Sequence, residues 1–175
     1  HIRAFCDIPD THIVGLSSRS FDRANALAKD LHVPEVFDSI EAMLARTTPD
    51  IVVVAVSELS TVDVMAACVA PGRTVLVEKP VGIDLADCRA VRKLAVDAQS
   101  RVFVGLNRRS YGATQVALSS VVDDDGARFV EVHDQEDIAA ARRAGRPEAV
   151  IRNWMYANSI HMIDYFRIFG RGDVS

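Results

Sequence analysis

The chain reads as an α/β protein built on a parallel sheet, and three observations predict it. Short runs of β-branched residues and leucine alternate with segments whose apolar residues recur at spacings of three and four, the pattern of strands joined by crossover helices. The two strongest runs, Ile51 to Val56 and Thr74 to Val77, are apolar without alternation, as in parallel strands covered on both faces. Polar residues gather directly after the strand segments, where open parallel sheets bind their ligands.

Taken in order, His1 to Cys6 has the look of a helix entered partway, and His12 to Ser17 reads as a short strand. Ser20 can cap a helix that buries Phe21, Ala24, Ala28 and Leu31 along one face. Glu35 to Phe37 is a weak strand, and Asp38 with Glu41 three residues later resembles a capping box opening a helix through Ala45. After Pro49-Asp50 comes the strand from Ile51, a polar turn, a helix from about Thr61 to Ala70, and the stop signal Pro71-Gly72. The strand ending at Glu78 follows. Asp84 then caps a long helix carrying Leu85, Cys88, Val91, Leu94 and Ala98, and Arg101 to Leu106 returns as a strand that closes a first domain, residues 1–106.

Residues 107–175 have a different character and read as the start of a second domain. A helix is expected from about Ala113 to Val122, a turn at Asp123-Asp124-Asp125-Gly126, and a strand from Ala127 to about Asp134. The polar stretch from Gln135 to Pro147 fits either a surface helix or a substrate-covering loop. The last element, from about Asn158 to Phe169, is a helix stopped by Gly170. It is apolar almost all round, and Asn158, His161 and Tyr165 share one stripe of it; a buried polar row of that kind needs hydrogen-bond partners or a ligand.

Composition narrows the function classes. With 175 residues, 49% of them hydrophobic, and a net charge of -4, the chain suits a globular protein and offers no basic surface for nucleic acid. No apolar run approaches the roughly 20 residues needed to span a bilayer. Three cysteines, Cys6, Cys68 and Cys88, form neither an even framework nor a C-x-x-C pair, which predicts a reducing, cytoplasmic setting. No histidine, cysteine or carboxylate spacing suggests a metal. Because the chain opens on His1 inside a helical pattern, it reads as a fragment.

The residues after the strands are Ser17-Ser18-Arg19, Ser57-Glu58, Glu78-Lys79-Pro80 and Asn107-Arg108-Arg109. Any one of these clusters is ordinary for an exposed strand end; four along one edge point to a binding cleft. Their order and spacing resemble the NAD(P)-dependent oxidoreductases typified by glucose-fructose oxidoreductase and inositol dehydrogenase, the Gfo/Idh/MocA family. Glu78-Lys79-Pro80 after a buried strand looks like the family hallmark. His1 is similar to the histidine of the family's first helix, and Ile160-His161-Met162-Ile163-Asp164 is similar to a segment of its second domain.

The resemblance implies a Rossmann-type parallel sheet domain, truncated at its start, followed by the beginning of an α/β domain with a mostly antiparallel open sheet that pairs subunits into a homo-oligomer. The family's first strand and glycine-rich loop would precede His1, so residues 1–175 alone are expected neither to fold well nor to bind cofactor. For the cofactor, Ser18 takes the place of the acidic residue that would bond an NAD ribose, and Arg19 beside it favours the 2'-phosphate of NADP over NAD. Ser57 and Glu58 are implied near the adenosine and nicotinamide ribose, with Glu78, Lys79, Pro80, Asn107 and Arg108 completing the cofactor side.

Lys79 is implied to steady the substrate oxygen and His161 to exchange its proton, with Asn158 contacting a sugar or polyol substrate. Many family members carry an aspartate four residues before this histidine, where the chain has Ala157; Asn158 or the phenol of Tyr156 could take over its orienting role. Arg108 and Arg109 could bind an anionic substrate group or pair with acidic neighbours between domains, with pairing the safer expectation for at least one of them. Two rivals stand beside the dehydrogenase reading. One is a non-catalytic dinucleotide sensor, encouraged by Ala157, and the other is a redox-neutral glycosidase that recycles its cofactor within each turnover.

Overall fold

The computed structural model describes residues 1–123 and 126–170. Its elements run α1 (Ile2–Cys6), β1 (Leu16–Ser17), α2 (Phe21–Asp30), β2 (Val36–Phe37), α3 (Ile40–Arg46), β3 (Ile51–Val54), α4 (Thr61–Cys68), β4 (Thr74–Val77), α5 (Leu85–Asp97) and β5 (Arg101–Val104). Helices α6 (Gly112–Ser119), α7 (Ile138–Arg143), α8 (Glu148–Arg152), α9 (Trp154–Ala157) and α10 (Ile160–Phe169) follow. Two 3-10 turns, Glu58–Ser60 and Asn107–Ser110, sit directly after β3 and β5. Among the described residues no helix is long and apolar enough to cross a membrane.

All strand pairs are parallel and fall into two sheets, β1-β2 and β3-β4-β5, the α/β architecture expected of a Rossmann-like chain. Strand β4 is central in the larger sheet, with Val75 between Val52 and Val102 and Val77 between Val54 and Val104. Its alternate residues differ in cover. Val75 and Val77 are buried with Val52, Val54, Met65, Cys68 and Val91 in one core, whereas Thr74 and Leu76 on the opposite face are half-buried. The unbroken apolar run therefore marks one fully covered face rather than two, because α4 and α5 contribute their buried residues to the same core. Burial in that core raises the Cys68 thiol to about 11, so it stays protonated and behaves as a small apolar group.

Local chemistry explains most element ends. Asp84 caps α5 by accepting from the Asp87 amide at 2.9 Å. The cap of α3 is Ser39, not Asp38: its hydroxyl accepts from the Ala42 amide at 3.0 Å from an extended backbone, one residue later than the capping-box spacing suggested. Gly15 precedes β1 because a Cβ there would stand 2.7 Å from the Phe37 ring. Gly82 does the same for the approach to α5, where a Cβ would meet the Asp87 side chain at 2.4 Å and the Cys88 amide at 2.8 Å.

The second part of the chain departs most from expectation. The strand expected from Ala127 to Asp134 forms no ladder: no strand pairs with it among the described residues. The expected turn at residues 123–126 includes positions outside the described residues. The polar stretch from Gln135 contains α7, capped by Asp137 through the Ala140 amide at 2.7 Å, and the short helices α8 and α9 had no clear periodic signal.

Candidate active site at the strand ends

The carboxyl ends of the two sheets converge. Arg19, after β1, donates through Nη2 to the Ser57 hydroxyl at 3.2 Å, after β3, and Ser57 lies 3.0 Å from the Ser60 hydroxyl. Ser18 accepts from the Ser20 amide at 3.3 Å, which holds the β1–α2 turn. Ser18, Arg19 and Ser57 form an exposed set of two hydroxyls and one guanidinium, with no carboxylate bonded to them among the described residues. That donor set suits a ribose and its phosphate.

Glu58 faces another way. Its carboxylate accepts from Arg146 Nη1 at 2.8 Å, tying the turn after β3 to the segment between α7 and α8. At the end of β4, Glu78 accepts from the Lys79 amide at 2.9 Å through one oxygen and lies 2.7 Å from His1 Nε2 through the other. The Lys79–Pro80 peptide bond is cis, and Pro80 is buried. From this turn the Lys79 ammonium donates to the backbone carbonyl of Ala157 at 2.9 Å. The residue standing where an orienting aspartate was looked for thus meets Lys79 through its main chain.

His161, on the first turn of α10, is 6% exposed; its Nδ1 is buried without a hydrogen-bond partner among the described residues. Burial lowers its pKa below the ordinary value, and the positive charges of Arg108 and Lys79 push it the same way, against Glu78 and Asp164. The Lys79 amine is lowered as well, first by burial; Glu78 and Glu58 oppose the shift, while Arg108 and Arg146 add to it. Lys79 therefore acts electrostatically on His161, and burial disfavours the charged form of both groups relative to water.

The stripe Asn158, His161 and Tyr165 is not a single polar row. Asn158 ends α9, and its amide donates to both oxygens of Glu136 at 2.7 and 2.8 Å. Tyr165 lies 3.4 Å from the buried Thr114 hydroxyl. The Tyr156 hydroxyl makes no hydrogen bond among the described residues. The two arginines after β5 separate: Arg109 grips the buried Asp164 with both sides of its fork, Nε to Oδ2 at 2.9 Å and Nη2 to Oδ1. Arg108 leans on the Met162 sulfur at 3.9 Å, and Asn107 is exposed.

Glu136, Arg146 and Thr114 were missed by sequence reading. Glu136 lies among Asp134 and Asp137 with nothing to single it out, and Arg146 is one of five arginines between residues 142 and 167. Among the described residues no group of histidine, cysteine and carboxylate side chains could hold a metal.

Residues 1–106 match the family model of the Gfo/Idh/MocA oxidoreductases, an NAD-binding Rossmann fold. The chain belongs to this oxidoreductase family. A mouse member of the curated proteins, trans-1,2-dihydrobenzene-1,2-diol dehydrogenase, is 26% identical over 89 residues, 51% of this chain and 26% of that protein. The chain therefore spans about a quarter of the length of the curated relatives it matches. Among solved structures, myo-inositol 2-dehydrogenase from Lactobacillus plantarum superposes with a TM-score of 0.75 at 17% identity, over 97% of this chain and 52% of that one. The apo scyllo-inositol dehydrogenase from Lactobacillus casei gives 0.73 at 20% identity, over 94% and 48%. At these identities the superpositions show a fold shared with those structures over 94–97% of this chain.

Proposed function

We propose that the protein is an NAD(P)-dependent dehydrogenase or reductase that passes a hydride between the nicotinamide ring and a hydroxyl-bearing or carbonyl carbon of a sugar, polyol or related small molecule. The observation that carries this reading is the 2.9 Å bond from Lys79 at the end of β4 to Ala157, three residues before α10, which brings Lys79 to the side of the chain that bears His161. Nicotinamide supplies the hydride chemistry when bound. Residues 1–106 form the dinucleotide half, with Ser18, Arg19, Ser57, Glu58, Glu78, Pro80 and Asn107 on the cofactor side, and residues 107–175 begin the substrate and oligomerisation half.

In this reading the Lys79 ammonium holds the substrate oxygen and stabilises charge that develops there. His161, buried and biased neutral, takes the hydroxyl proton in oxidation and returns it in reduction. The exposed Arg19, bonded to the Ser57 hydroxyl and following Ser18 rather than an acidic residue, favours NADP over NAD. Dinucleotide sensing without turnover is the second reading, favoured by Ala157, which leaves the buried Nδ1 of His161 without an orienting carboxylate.

The deciding experiment expresses the complete reading frame and titrates it with NADPH and NADH while following cofactor fluorescence, then screens sugars and polyols for a change in nicotinamide absorbance. Tighter NADPH binding with turnover supports the proposal. Binding without turnover of any hydroxyl substrate favours the sensor, and no binding of either cofactor ends both.

A further inference from the structure

The two arginines that follow β5 have unequal surroundings, and the difference bears on substrate class. Arg109 is saturated by the buried carboxylate of Asp164. Arg108 is half-buried, donates to the neutral sulfur of Met162 at 3.9 Å, and has no carboxylate partner among the described residues. A guanidinium carries five donors in a fixed fork that matches a carboxylate, and leaving it partly desolvated without an anion is unfavourable.

The carboxylates of this part of the chain have other partners. Glu78 is held by His1 and the Lys79 amide, Glu58 by Arg146, Asp164 by Arg109 and Glu136 by Asn158. Position 157, which Lys79 touches, is an alanine and offers no carboxylate. Lys79 and Arg108 are two cations whose charges act at His161, partly offset by Glu78 and Asp164, and the buried Nδ1 of His161 has no hydrogen-bond partner among the described residues. The Arg108 guanidinium stands 3.9 Å from the sulfur of Met162, the residue after His161, and its charge acts at both Lys79 and His161.

We propose that Arg108 holds a carboxylate of the substrate, and that the substrate is an acidic polyol, a sugar acid or hydroxy acid, rather than a neutral one. The inference rests on the dehydrogenase reading above and names its substrate class. A phosphate of the cofactor would offer Arg108 the same chemistry. The substrate is favoured because Arg108 lies against Met162, the residue after His161, while the exposed hydroxyl and guanidinium set at Ser18, Arg19 and Ser57 stands at the ends of the other strands.

The test uses the complete protein saturated with NADPH, so that alcohols bind without reacting. Gluconate, galactonate and glycerate are titrated against glucitol, galactitol and glycerol by calorimetry, in the unaltered protein and in Arg108→Gln and Arg108→Lys. At least one acid should bind ten-fold or more tighter than its neutral counterpart. Arg108→Gln should erase that preference, Arg108→Lys should keep part of it, and the NADPH dissociation constant should stay within two-fold in both. The proposal is overturned if no acid outbinds its counterpart or if Arg108→Gln leaves the preference intact. It is likewise overturned if Arg108→Gln weakens NADPH ten-fold, which would assign the guanidinium to a cofactor phosphate. Failure of the unaltered protein to bind either nicotinamide cofactor would overturn the dehydrogenase reading itself.

Discussion

Lys79 Nζ donates a 2.9 Å hydrogen bond to the carbonyl of Ala157, linking the end of a parallel strand to the approach of α10 across 78 residues of sequence. The contact sets where the ammonium can stand. Replacing Lys79 with Met should therefore lower turnover by about 10²–10³-fold, the scale for removing one donor aimed at a developing oxyanion, while the cofactor dissociation constant moves little. Steady-state rates and a fluorescence titration of the same variant check both halves.

The Arg109–Asp164 pair links the turn after β5 to α10 through two hydrogen bonds. Asp164 is 4% exposed while Arg109 is 44% exposed, so the pair lies between a buried and a surface bridge. Arg109→Ala strands a buried carboxylate and should cost about 2–3 kcal/mol, below the full penalty of a fully buried pair. Denaturant midpoints of the complete protein measure it. The double variant Arg109→Leu with Asp164→Leu should recover much of the loss, since no unpaired charge then remains.

His161 gives stability a pH dependence of known sign. Its folded pKa lies below the ordinary 6.5, so between the two values the unfolded chain binds more protons than the folded one. The stabilisation is present above 6.5 and is lost as pH falls below it toward the folded value. Melting temperatures measured across that interval should fall with pH, and His161→Asn should flatten the fall; an unchanged slope would mean that other groups set it.

Helix α3 separates two readings of its start. The Ser39 hydroxyl accepts from the Ala42 amide at 3.0 Å, so Ser39→Ala should cost about 1 kcal/mol. Asp38→Ala should stay within about 0.5 kcal/mol, as at surface positions away from such features. Paired thermal or denaturant unfolding distinguishes them.

Asn158 is pinned by both oxygens of Glu136. Losing a hydrogen bond to a charged partner costs roughly 1.5–3 kcal/mol, and Asn158→Ala should approach the lower end because the contact is only part-buried. Faster hydrogen exchange around residues 135–138 in that variant would locate the effect; exchange unchanged there would remove Glu136 as the anchor.

By itself the sequence determined the parallel α/β class, the positions of the helices through α6, and the strand ends at which Arg19, Ser57 and Lys79 stand. These features are written in short-range patterns: apolar spacings of three and four, a β-branched run and a capping residue, each legible within one turn or strand. The ends were read less well, as at Ser39, because a single residue shifts the cap. Only the tertiary structure decided that Arg109 takes Asp164, that Asn158 turns to Glu136, that Glu58 turns to Arg146, and that Lys79 finds the Ala157 carbonyl. Those partners lie 55, 22, 88 and 78 residues apart, so which carboxylate meets which cation depends on how distant segments pack. The same reason governs the segment after residue 126, whose alternating residues read as a strand but have no partner strand among the described residues with which to make one.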